Sequence, residues 1–312
     1  MISIVIPLYN KAPHIRRAVD SVLRQSVTNF ECIVVDDGST DGSGDIIKNI
    51  KDPRIRLIRQ SNMGVSAARN RGVAESACPF VAFLDADDEW LPRFLESVIL
   101  TLKQYPEIGV VFTNFRLSTS ESPWLPNQRG GRLENYFDCF VTCRGHGMSS
   151  SSVLIRKDIL QKVGGFPIFQ THGEDINTWT RLAWEAPVAY VPEILAIYHI
   201  SSCARAMDAN GIQIAVSLDR CAQLCRDRLK QGLVAPNLRR STRSYAHMLY
   251  TMCAREQKDV GAVGGAFRTI IKSLLSVTTA KDIHITAIAL LRTACPSRWL
   301  EIRRQLRSVQ VP

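Results

Sequence analysis

The chain opens on a run that reads as a buried strand. Ile2-Ser3-Ile4-Val5-Ile6-Pro7 is β-branched and closed by proline, which predicts a strand ending there. Over residues 13–25, Ile15, Ala18, Val19, Val22 and Leu23 recur at helical spacing and share one face. Phe30 to Val35 is a second apolar strand. It runs into Asp36-Asp37-Gly38-Ser39-Thr40-Asp41, a turn-rich stretch able to cap a helix over 43–49. Strands follow at 55–59 and 80–84, with a helix over 64–76 between them. Beyond these the pattern predicts a helix at 91–105, a strand at 108–115 and a polar loop over 116–132. A strand at 149–155, a helix at 157–163 ending in Gly164-Gly165, a helix at 174–185 and a strand at 188–191 complete the mixed part. From Met207 onward the spacing is helical only.

Strand and helix alternate regularly through the opening segments, which predicts an α/β fold with a mostly parallel sheet flanked by helices. A C-terminal helical extension follows. The expected organisation is a ligand-binding part over 1–115, a second part of the same domain over 116–205, and a helical extension over 206–312. In sheets of this kind ligands sit beyond the carboxyl ends of the strands. Three polar clusters fall there: Tyr9-Asn10, Asp36-Asp37 and Asp85-Ala86-Asp87-Asp88.

Those clusters suggest chemistry. Asp85 and Asp87 stand two apart just after a strand, so both can face one cation, and hard divalent ions take oxygen ligands from one or two carboxylates and from substrate phosphates. A bound cation would neutralise a departing nucleoside diphosphate. Acidic turn residues without a ligand account for the same pattern, and Asp88 can cap the next helix. A carboxylate of the Asp36-Asp37 pair can accept the N3–H of a uracil, with Tyr9 stacked on the base; plain capping is the alternative. Gly64 lets backbone approach a ligand, and Arg69 on the following helix can reach a diphosphate or form a surface ion pair. Glu174 and Asp175 open an amphipathic helix. One of them can deprotonate an acceptor hydroxyl, although acidic residues also favour a helix N-terminus.

Charge changes the picture only at the C-terminal end. The net charge is +10, and residues 201–312 hold 18 Lys and Arg against 7 Asp and Glu, leaving 21 against 22 in the first 200. A basic tail suits an anionic partner such as acidic lipid. Phe267 to Leu275, with Arg268 and Lys272, and Trp299-Leu300 beside Arg298, Arg303, Arg304 and Arg307 suggest amphipathic helices on an anionic membrane; a helical cap or a subunit contact is the alternative. Nine cysteines are scattered without a Cys-x-x-Cys, so free thiols in a reducing cytoplasm fit better than zinc. No signal-peptide pattern and no apolar run of membrane-spanning length is found. The expected location is the cytoplasm, at the inner face of the membrane.

The ordered set Val-Ile-Pro-Leu-Tyr-Asn (5–10), Val-Val-Asp-Asp-Gly-Ser-Thr-Asp (34–41), Ala-Ala-Arg-Asn-Arg-Gly (67–72), Phe-Leu-Asp-Ala-Asp-Asp (83–88), Val-Gly-Gly-Phe (163–166) and Gly-Glu-Asp (173–175) resembles glycosyltransferase family 2, over roughly residues 1–200. The resemblance implies a GT-A fold of Rossmann-like type and an inverting, metal-dependent transfer from a nucleotide sugar, UDP-linked in the first instance. The acceptor would be a hydroxyl on a polysaccharide or lipid-linked glycan. It implies that Pro7, Tyr9 and Asp37 hold the nucleoside, that Asp36 supports their loop, and that Arg69 lies near the phosphates. Asp85 and Asp87 would be the Asp-x-Asp pair, with Asp87 on Mn²⁺ or Mg²⁺ and His199 near the metal. Asp175 would be the base and Glu174 would place the acceptor. The tail matches no motif of the family and leaves acceptor and oligomeric state open.

Rival classes lack their marks. A sugar-phosphate nucleotidyltransferase calls for a glycine-rich phosphate loop after the first strand, where this chain has Pro-Leu-Tyr-Asn-Lys. A dehydrogenase calls for Gly-x-Gly-x-x-Gly there. A non-catalytic module binding anions or membranes is the other alternative. Nucleic acid is not expected as a partner, because the tail has no zinc finger, aromatic RNA-binding strand or basic zipper.

Overall fold

The computed structural model describes residues 1–125, 129–200 and 211–274. The chain divides into two compact units, Met1–Asp208 and Ala209–Pro312.

In the first unit, β1 (Ile2–Leu8), β2 (Phe30–Asp37), β3 (Ile55–Gln60) and β4 (Phe80–Phe83) alternate with α1 (Ala12–Leu23), α2 (Ser43–Lys48) and α3 (Val65–Glu75). Next come β5 (Glu89–Trp90), α4 (Phe94–Gln104), β6 (Val110–Leu117), β7 (Gly131–Arg132) and α5 (Tyr136–Thr142). β8 (Val153–Arg156), α6 (Lys157–Lys162), α7 (Glu174–Glu185) and β9 (Val188–Tyr198) end the unit. The strands form one sheet in the order β3-β2-β1-β4-β8-β6-β9-β5, with β7 paired to β9.

Across β3-β2-β1-β4 every pairing is parallel. In the second half β8 runs antiparallel to both neighbours, whereas β6 and β9 are parallel. The sheet is therefore mixed, and its parallel half carries the strand ends at which the polar clusters emerge. β1 lies in the middle of that half and every one of its residues is buried, which is why its run is apolar apart from Ser3. Edge strand β3 is only partly buried, with Arg56 and Arg59 exposed. Helix α3 lies close on the sheet because Gly72 has no side chain: a Cβ there would stand 2.3 Å from Val5 Cγ1.

Several elements differ from the sequence reading. The strand expected at 188–191 continues to Tyr198, past the exposed Pro192 and Glu193. Its pairing with β6 shifts register on both sides of Asn114, and the Asn114 side chain closes the irregularity, donating to Pro192 O at 3.4 Å and accepting from Leu125 N–H at 3.0 Å. Ser150–Ser152 is a 3₁₀ turn capped by Ser149, so β8 starts only at Val153. Within the expected loop 116–132 lies β7, and α5, β5 and β7 are elements the spacing did not reveal.

The second unit, taken by itself, holds α8 (Gly211–Lys230), α9 (Arg239–Asp259) and α10 (Val263–Leu274). α9 packs on both of the others and buries Tyr245, Leu249 and Tyr250. The basic stretch around Trp299 lies outside the described residues, as does Leu275. Among the described residues no helix is long and apolar enough to cross a membrane. Of the seven described cysteines, all but Cys143 are buried.

Candidate active site

A cavity of about 580 Å³ opens at the carboxyl ends of β1, β2 and β4. Its lining brings together Pro7, Tyr9, Asp37, Gly64, Arg69, Asp85, Asp87, Glu174 and Asp175, residues that stand as much as 168 positions apart in the chain. Chain reversal explains the meeting. β1, β2 and β4 are parallel, so their ends fall on one edge, and α7 returns across it after β8.

Asp37 is buried, and its carboxylate organises the loop after β3. Gln60 Nε2 and Met63 N–H donate to Oδ1 at 2.7 and 2.9 Å, and Gly64 N–H donates to Oδ2 at 2.8 Å. A carboxylate offers about four acceptor positions, so Oδ2 keeps room for one further donor. Gly64 sits at φ +87° as the residue before α3, a backbone state that costs a side-chain-bearing residue energy. Tyr9 stands at the rim, 45% exposed.

Asp36 does not line this cavity. It faces a smaller hollow beside Ser39 and Arg59. There its Oδ1 accepts from Ser39 N–H at 2.9 Å and its Oδ2 lies 3.5 Å from Arg59 Nε. Its contacts are those of a residue bracing the loop.

Arg69 is placed differently from a phosphate-reaching arginine. Only 3% exposed, it donates from Nη2 to Asp85 Oδ1 at 2.8 Å and from Nη1 to Glu174 Oε1 at 2.9 Å. Its guanidinium lies 5.2 Å from the Phe166 ring centre. Burial works against this charge, but Asp85 and Glu174 outweigh it and hold the group protonated. Next to it, Asn70 clamps the glycine-rich turn: Nδ2 donates to Phe166 O at 2.7 Å, and Oδ1 accepts from Phe166 N–H at 2.8 Å. Arg69 and Asn70 thus tie α3 to the segment that delivers Glu174 and Asp175.

Asp85 and Asp87 both line the cavity, on the turn that follows β4 and not on the strand itself. Asp87 forms an ion pair with Lys11 through Oδ2. Asp88 is fully buried. It accepts from Ser151 Oγ and from His199 N–H, and burial together with the Asp85 and Asp87 charges pushes its carboxyl well up. His199 is not gathered into a ligand set with the two carboxylates. Its Nε2 lies 3.2 Å from Glu89 Oε1, and among the described residues no three His, Cys, Asp or Glu side chains converge on a cation. The pair can still serve a hard cation as two oxygen donors, the remainder coming from substrate phosphates. That donor chemistry fits Mn²⁺ or Mg²⁺.

Asp175 opens α7, where burial and the adjacent Glu174 charge push its carboxyl up to about 7. A carboxylate there is a far stronger base than an ordinary surface aspartate. The cavity also takes Lys11, Ser149, Ser150, Thr171, His172 and Tyr198, none of them foreseen as site residues except through their neighbours. In the sequence, the serine run at 149–152 and His172, two residues before Glu174, mark this part of the lining.

Known proteins resemble this chain in sequence and in fold. The family profile described as "Glycosyl transferase family 2" matches residues 3–164. An uncharacterised glycosyltransferase of Nostoc sp. is 40% identical over 174 residues, 54% of this chain and 53% of its own. Glycosyltransferase GlyA of Streptococcus pneumoniae is 37% identical over 123 residues, 38% of this chain and 18% of its own. The chain thus spans about half or less of these relatives' length. Among solved structures, S. aureus TarS aligns with TM-score 0.69 at 14% identity, over 94% of this chain and 52% of that one. TarS 1-349 in complex with UDP-GlcNAc aligns with TM-score 0.59 at 15% identity, over 88% of each. The mannosyltransferase PcManGT from Pyrobaculum calidifontis, in complex with GDP-Man and Mn²⁺, aligns with TM-score 0.62 at 18% identity, over 95% and 81%. At these identities the likeness is one of fold.

Proposed function

Because the chain belongs to glycosyltransferase family 2, we propose that it transfers a sugar from a nucleotide donor to an acceptor hydroxyl in one inverting displacement. The observation that carries the reading is the meeting of Asp37, Asp85, Asp87, Glu174 and Asp175 in one cavity. Pro7, Tyr9 and Asp37 hold the nucleoside, with the open side of Asp37 Oδ2 available to a base N–H. Uridine is the first choice, since its N3–H suits a carboxylate acceptor. TarS and PcManGT, of like fold, are described with UDP-GlcNAc and with GDP-Man and Mn²⁺.

Asp85 and Asp87 hold Mn²⁺ or Mg²⁺ together with the diphosphate, and the cation supplies charge neutralisation for the leaving group. Asp175 takes the proton from the acceptor hydroxyl, Glu174 orients that acceptor, and Arg69 fixes Glu174 and Asp85 in register. The His199 imidazole, turned to Glu89, is not part of this set.

We assign the acceptor to a glycan of the cell envelope, polymeric or lipid-linked, and the 206–312 region to an anionic membrane surface that would bring such an acceptor near. The experiment is donor turnover. With Mn²⁺ the protein should release nucleoside diphosphate from one of a panel of nucleotide sugars, and chelation should stop it. Asp87→Ala should lower that rate by at least about 100-fold, the scale of one transition-state charge contact. Equal rates with and without metal would remove the cation from the account.

A further inference from the structure

The two carboxylates of the Asp-x-Asp turn are both paired with a cation of the chain, but the two pairs are built differently. Asp85 meets Arg69, which is 3% exposed and tied at its other end to Glu174. That cation cannot leave without breaking a second ion pair. Asp87 meets Lys11, whose side chain is 26% exposed and lines the cavity.

The backbone under Lys11 is held firmly. Lys11 N–H donates to Ser43 Oγ at 2.9 Å, Asn10 N–H donates to Ser39 Oγ at 3.1 Å, and Asn10 Oδ1 accepts from Thr40 N–H at 2.9 Å. The root of the side chain is therefore fixed at the carboxyl end of β1, while the ammonium rides on a flexible four-carbon stem. Asp87 itself is anchored through its carbonyl, which accepts from Arg17 Nη2. An ammonium on a flexible stem, seated on a carboxylate that lines the cavity, is a pair with which another cation can exchange.

We propose that Lys11 is the placeholder cation of Asp87: its ammonium occupies the position a divalent ion takes, and moves onto a diphosphate oxygen when that ion and the nucleotide arrive. The idea rests on the reading of Asp87 as a metal-binding carboxylate. It makes Lys11 a positioning residue with two opposed effects. The ammonium competes with a metal arriving alone, because like charges within a few ångströms repel strongly in a partly desolvated site. It assists a metal arriving with diphosphate, because the phosphate oxygens give it a new partner. Metal uptake is thereby coupled to nucleotide uptake.

The test is a titration of the full chain with Mn²⁺, free ion being followed by electron paramagnetic resonance, with and without UDP. Lys11→Met should bind Mn²⁺ alone about tenfold more tightly than wild type, or better, and should bind Mn²⁺ with UDP several-fold more weakly, which reverses the order of the two proteins. Lys11→Arg keeps the charge and should stay near wild type in both arms. Unchanged or weaker Mn²⁺ binding by Lys11→Met in the absence of UDP overturns the placeholder role. The metal reading is checked separately with Asp87→Ala. If that variant binds Mn²⁺ and UDP as wild type does, or wild type takes up no Mn²⁺ with UDP, Asp87 is not a ligand and both ideas fall.

Discussion

At the scale of single residues the site is a set of carboxylates kept apart by arginine and lysine. Arg69 is the clearest case. From the sequence it reads as a phosphate contact or a surface pair; in the fold it is a buried cation between Asp85 and Glu174. Removing one partner from a buried ion-pair network leaves uncompensated charge, which costs roughly 3–5 kcal/mol. Arg69→Met should therefore lower unfolding free energy by about that amount in a urea melt. A variant that melts like wild type and merely binds UDP less tightly would return Arg69 to the phosphates. Burial was the unreadable quantity here: spacing placed Arg69 on the proper helix, but not which way the helix faced. Asp36 and Asp37 show the same limit. They are adjacent, alternate sides of a strand end separate them, and only Asp37 reaches the cavity.

At the scale of elements, the parallel half of the sheet was legible because burial on both faces of β1, β2 and β4 leaves runs of Val, Ile and Phe in which only Ser3 and Glu31 are polar before the strand ends. The missing elements failed for physical reasons. β5 and β7 are two residues long and have no period to detect. The β9 extension passes Pro192, which ordinarily ends a strand, and survives through the irregular register that Asn114 closes. Ser149–Ser152 reads as a strand start and is a capped turn whose hydroxyls serve the cavity and Asp88. The α3–β1 contact offers a test at this scale. Gly72→Ala must push its methyl into Val5, and overpacking of this kind costs about 1–3 kcal/mol. The expected outcome is a lower denaturation midpoint with UDP binding to the remaining folded protein unchanged. An unaltered midpoint would mean that helix and sheet are less closely packed than described.

For the whole molecule, charge is divided as unevenly as structure. The first 200 residues are near neutral and hold the site, while the excess of Lys and Arg lies beyond residue 200. We expect the full chain to sediment with vesicles containing acidic phospholipid, to ignore neutral vesicles, and to be released at high salt, where the Debye length falls to ~3 Å at 1 M. Equal binding to neutral and acidic vesicles would end the electrostatic reading of the tail.

The account turns on Asp175, and donor turnover by wild type and Asp175→Asn across pH tests it most directly. The folded enzyme holds this carboxyl protonated up to about pH 7, so turnover should be low in acid and rise as pH passes through about 7, where the base becomes ionised. Its raised value also means that ionisation opposes folding: stability from this group is present at low pH and lost as pH rises through 7. Asp175→Asn should therefore melt higher than wild type at pH 8, bind UDP with Mn²⁺ as before, and lose turnover by about 10²–10⁴-fold, the contribution of a positioned base. A variant that turns over donor at near wild-type rate, with the same rise through pH 7, would contradict the assignment.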